Sequence, residues 1–207
     1  MAKRKNYKPL MALVALAAAA LVAATMTFTN VTYWLINATK PPAMKYAGAD
    51  TGITDSYAPW GKYVIVNYYY DSDQGLNITR ISIIGFTGDP TNYTSVIRVC
   101  NYYGGRPITA NLVWVGQVGS TGYESYIRRF YVWGPDGQKV GIERSRDPTS
   151  GADTIRTYDK AGSYTIDIGR CIDIGAYVAI DPAIPLSLAN GKTVLGQYQV
   201  NIVMSPS

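Results

Sequence analysis

Nine short runs of alternating apolar and polar residues succeed one another along this chain, at positions 63–70, 78–86, 96–103, 110–118, 126–133, 139–143, 163–168, 172–180 and 194–203. A period of two sends successive side chains to opposite faces, so each run can bury one face only as part of a sheet. Turn residues separate nearly all of the runs. Gly134-Pro135-Asp136-Gly137 places proline and glycine where a tight reversal needs them, and Gly104-Gly105-Arg106-Pro107 marks another break. Strands at this spacing, with no helical period between them, predict an all-β chain folded as a β-sandwich. The 18 tyrosines and 20 glycines favour the same strands and turns.

Composition narrows the chemistry. The chain has no histidine, which removes the usual general base, the Ser-His and Cys-His nucleophile pairs and the commonest metal ligand. Neither catalysis nor a cofactor is expected. The formal charge of +5 is mostly local, because Lys3, Arg4, Lys5 and Lys8 supply four of the 19 basic residues. The remainder is close to neutral and has no basic stripe of the kind a nucleic-acid partner requires.

Those basic residues open a segment with the layout of a secretory signal: an apolar run over 10–22, then Ala23, Ala24 and Thr25. Cleavage after Ala24 makes 1–24 a leader, 25–40 a strand and linker, and 41–207 the sandwich domain. An uncleaved anchor is the competing reading, although the apolar stretch is shorter than the ~20 residues that span a bilayer. The membrane enters the expectation only through this segment before cleavage. A type IV pilin helix fits less well, because Tyr7-Lys8-Pro9-Leu10 lacks the small residue expected at its processing site. The chain beyond Ala24 is also β-branched and aromatic and would make a poor helix.

That next segment reads as a strand over 27–36, cut off from the rest by Ala38-Thr39-Lys40-Pro41-Pro42. Pro-Pro cannot continue a ladder. Thr27, Phe28, Thr29, Val31, Tyr33, Trp34, Leu35 and Ile36 make an apolar run that a mature chain would not leave in water. It can be buried as the first strand of its own sandwich, or in a groove of a neighbouring copy that lacks a strand. The second arrangement is head-to-tail and does not close, so it propagates as a filament.

Other features suit an extracellular compartment. Asn30, Asn37, Asn77 and Asn92 each begin an Asn-x-Thr sequon and are candidate N-glycosylation sites in an archaeal or eukaryotic host. Cys100 and Cys171 lie in separate apolar stretches and are expected to pair under oxidising conditions, two unrelated buried thiols being the alternative.

A leader, an extended threonine-rich aromatic strand over 27–36, the Asn37-Ala38-Thr39-Lys40-Pro41-Pro42 break and a tyrosine-rich all-β domain together resemble the secreted bundling pilins of thermophilic archaea. The plan is similar to that of the TasA and camelysin biofilm-fibre proteins. The resemblance covers the mature chain in layout and is strongest locally over 29–50. It implies a jelly-roll-like sandwich completed by the N-terminal strand of the next subunit. The implied partners are further copies of this chain in a homopolymer and other filaments in lateral bundles. The implied role is adhesion and biofilm formation at the cell surface.

Asp71-Ser72-Asp73-Gln74-Gly75 begins like a calcium loop but lacks the later ligands, and is expected to be a turn. Asp167 and Asp173 bracket Cys171 and with Asp181 suggest paired carboxylates for glycoside hydrolysis, yet alternation turns such residues to solvent. Tyr68, Tyr69, Tyr70, Tyr102 and Tyr103 raise a carbohydrate-binding reading. Arg128, Arg129, Tyr131 and Trp133 are candidates for bundling contacts. A secreted monomeric carbohydrate-binding module is therefore the principal rival to the filament subunit.

Overall fold

The computed structural model describes residues 43–206 apart from Tyr57, Gln74 and Gly75. The expected leader, the strand at 27–36, and Asn30 and Asn37 lie outside the described residues. Within them the chain is all-β. Its strands are β1 (Met44–Ala47), β2 (Val64–Asp71), β3 (Leu76–Ile83), β4 (Thr91–Cys100), β5 (Ile108–Gln117), β6 (Ile127–Trp133), β7 (Lys139–Arg146), β8 (Asp153–Tyr158), β9 (Lys160–Ile166), β10 (Cys171–Ile180) and β11 (Tyr198–Pro206).

The strands form a six-stranded sheet in the order β1-β4-β10-β6-β7-β8, a three-stranded sheet β11-β5-β9, and the β2–β3 hairpin. All the ladders are antiparallel. The main core lies between the two larger sheets. Val99, Ile97, Ile174 and Val140 come from the six-stranded sheet, and Ile108, Leu112, Tyr164 and Ile166 from the three-stranded one. Val64 at the base of the hairpin is fully buried in the same cluster. The sandwich read from the alternation is therefore the fold.

The expected disulfide is present. Cys100 and Cys171 face each other in register on β4 and β10 and are bonded, with their Cα atoms 4.0 Å apart. They close a segment of 71 residues, which on the chain-entropy view stabilises the fold by about 4 kcal/mol. Immediately after it, Asn101 is wholly buried. Its amide donates to the carbonyls of Arg106 and Ile166, each at 3.0 Å, and its side-chain oxygen accepts from the Gly104 N–H at 3.1 Å. One polar side chain thus satisfies the loop after β4 and the end of β9, as a buried amide must.

Several boundaries differ from the expected ones. The run at 96–103 is the second half of β4, which begins at Thr91 and stops at Cys100, where Asn101 takes over. Residues 194–197 precede β11 instead of belonging to it. Two strands were not anticipated, β1 and β8. The turn at 134–137 forms as expected, with the Gly137 N–H donating to the Gly134 carbonyl at 3.0 Å.

Candidate functional site

Two surfaces stand out, a free strand edge and a groove on the outer face of the six-stranded sheet. The edge belongs to β11, whose nine residues pair with β5 on one side, from Tyr198 opposite Gln117 to Pro206 opposite Ile108. Among the described residues no strand pairs with its other side. Inward-facing Val200 and Ile202 pack against the main core but are only partly covered, and Met204 at the next inward position is exposed. The β2–β3 hairpin likewise has no lateral strand partner among the described residues. Its Val66 and Ile83 are also partly covered members of that core. A long apolar edge of this kind is what soluble chains normally blunt with charge, proline or a covering segment.

The groove is built by register. Asn92 of β4 lies opposite Tyr177 of β10, Tyr177 opposite Tyr131 of β6, Tyr131 opposite Gly141 of β7, and Gly141 opposite Tyr158 of β8. Side chains in one such row share a face. Tyr131 stacks on Tyr177 with ring centroids 5.7 Å apart and meets Tyr158 edge-on at 5.4 Å. Gly141 makes this possible. Its φ is 144°, and a Cβ there would lie 2.0 Å from the Phe130 carbonyl oxygen.

Charged groups rim the aromatic row. The Lys139 ammonium sits 3.8 Å from the centre of the Tyr131 ring and 4.6 Å from that of Tyr158, in cation–π contact with both. Arg129 pairs with Glu143 at 2.8 Å, and the Tyr158 hydroxyl donates to Glu143 at 3.1 Å. The Tyr131 hydroxyl, with Tyr158 and Arg129, holds the Glu143 carboxyl below its usual range in spite of partial burial. Burial, and then Glu143, push the Tyr131 phenol well above its own. On the other side of the row Trp133 lies over Gly175, where a Cβ would come within 2.4 Å of the indole. The resulting open groove has a volume of about 650 Å³. Glu143 remains ionised and paired there, which makes it a hydrogen-bonding wall and a poor proton donor.

Of the residues singled out in the sequence, Arg129, Tyr131 and Trp133 come together in this groove. Arg128 does not join them, since it pairs with Asp181 and, at 2.9 Å, with Asp153. Asp173 accepts from Ser95 at 2.6 Å and from Arg98 at 3.1 Å. Asp173 and Asp181 are thus held in separate ion pairs. Tyr68, Tyr69 and Tyr70 are exposed along β2, and Tyr102 and Tyr103 are exposed after β4, where Tyr102 contacts Tyr46 with centroids 5.8 Å apart. Of the Asp71–Gly75 stretch, Asp71 ends β2, Ser72 and Asp73 follow it in a turn, and Gln74 and Gly75 lie outside the described residues. Asn77 stands on β3 and Asn92 is exposed on β4. Tyr177 and Tyr158 were not foreseen, because their role depends on pairing between distant strands.

No family model matches the chain, and no curated protein matches its sequence.

Proposed function

We propose that this chain is the structural subunit of an extracellular, cell-surface filament assembled by donor-strand complementation, serving adhesion, bundling and biofilm formation. The observation that carries the reading is the β11 edge, unpaired among the described residues, beside a partly covered core, in a chain whose sequence has an apolar, β-branched and aromatic run over 27–36 set off by Pro41-Pro42. The segment at 27–36 of one copy adds to the β11 edge of the next and covers Val200 and Ile202. About five inward side chains at ~1.5–3 kcal/mol each amount to a gross gain of order 10 kcal/mol, before the cost of ordering the strand. New ladder hydrogen bonds add to it, and the head-to-tail contact repeats without closing. The resemblance to archaeal bundling pilins supports the same assembly, and filaments then associate sideways.

Negative-stain electron microscopy of the secreted chain tests this. Filaments are expected from the native sequence, and Val31→Pro, which removes a ladder donor from the strand, is expected to leave folded monomers. Filaments of equal length from both would overturn the reading. Monodisperse protein in both cases would favour the rival carbohydrate-binding module, for which the outer-face groove is the specific observation.

A further inference from the structure

The groove on the outer face has a sequon at its rim. Asn92 lies opposite Tyr177 in the β4–β10 ladder and lines the groove, while the next two residues of the sequon are a buried Tyr93 and an exposed Thr94. The Asn92 side chain is exposed, so an attached sugar begins in solvent, on the face that carries the aromatic row. We propose that Asn92 is N-glycosylated and that the groove is the seat of its glycan, the first sugar rings lying on Tyr177 and Trp133.

The chemistry of the walls fits a pyranose. Its C–H faces are apolar and stack on flat aromatic surfaces, and its hydroxyls lie around the ring edge. The groove supplies both kinds of contact. Tyr177 and Trp133 provide faces, with the buried Tyr131 stacked against Tyr177, while the Arg129–Glu143 pair and Lys139 provide donors and an acceptor at the margin. Its 650 Å³ falls within the range of small-molecule sites, about 300–1,000 Å³. The glycan is favoured over a sugar from another source because its attachment atom is already at the rim. Tethering makes the stacking intramolecular, so modest contacts suffice to hold it.

The test uses the full chain produced in a host that modifies Asn-x-Ser/Thr sequons. Glycopeptide mass spectrometry is expected to find Asn92 occupied. Proton NMR is expected to show first-ring glycan protons shifted upfield by the aromatic currents, with cross-relaxation to Tyr177. Endoglycosidase is expected to release this glycan roughly tenfold more slowly from the native protein than from Tyr177→Ala, a difference of about 1.4 kcal/mol. The upfield shift in the native protein decides the matter if Tyr177→Ala does not fold. An unmodified Asn92 in a preparation whose Asn77 is occupied would overturn the proposal, as would an Asn92 glycan with unshifted resonances.

Discussion

At the scale of single residues, polar groups do the local positioning. Asn101 closes three hydrogen bonds with no exposure to water. Asn101→Ala leaves two carbonyls and an N–H without their partner, and a loss of about 2–4 kcal/mol is expected in urea unfolding. Tyr93 is the corresponding case on the aromatic side. Its hydroxyl donates to the Ile84 carbonyl at 2.6 Å, and burial, with Asp50 and Tyr63 nearby, pushes its phenol from 10.0 up to about 12. The sign follows from the neutral form being the one the fold accommodates. The stability Tyr93 contributes is complete below pH 10 and is lost as pH rises toward 12. Denaturant melts through that window are expected to show falling stability, with a shallower slope in Tyr93→Phe. Equal slopes in the two proteins would contradict the assignment.

Among the elements, what could be read from the sequence depended on whether a strand has a buried face. β6 and β10 alternate strongly because one face meets the core, and both were placed to within a residue or two. β8 offers no such signal. Asp153–Tyr158 is almost wholly exposed and its Ile155 faces solvent, so nothing in the six residues marks an apolar face. β1 has only four residues, too few to establish a period. The partition into sheets was also out of reach, since the main core brings β4 and β10 against β5 and β9 across long stretches of chain. The groove shows the same division. Arg129, Tyr131 and Trp133 lie on one strand and could be picked out together, whereas Tyr177 and Tyr158 arrive from β10 and β8 only through register. β4 links the two scales, because it carries the disulfide at one end and the proposed glycan site, Asn92, near the other.

Taken whole, the described residues form a sandwich whose longest edge strand, β11, has no partner on its outer side, and the filament reading depends on which copy of the chain supplies the strand that covers it. Burial in cis and in trans satisfies the same hydrogen bonds and covers the same Val200 and Ile202, so stability alone does not separate them. Acid behaviour is likewise common to both. Asp181, buried but held by the Ala183 N–H and Arg128, lies below its ordinary 3.8, so its contribution is present above that pH and is lost as pH falls through the lowered value. The decisive measurement is therefore a cross-link. A photo-activatable phenylalanine analogue in place of Tyr33 is introduced into isotopically light and heavy copies of the full chain, which are mixed before assembly. Irradiated filaments are expected to yield cross-linked peptides joining the strand at 27–36 to β11, with light and heavy partners combined. Cross-links found only between like isotopes, or only to positions away from β11, would contradict donation of the strand from one subunit to the next.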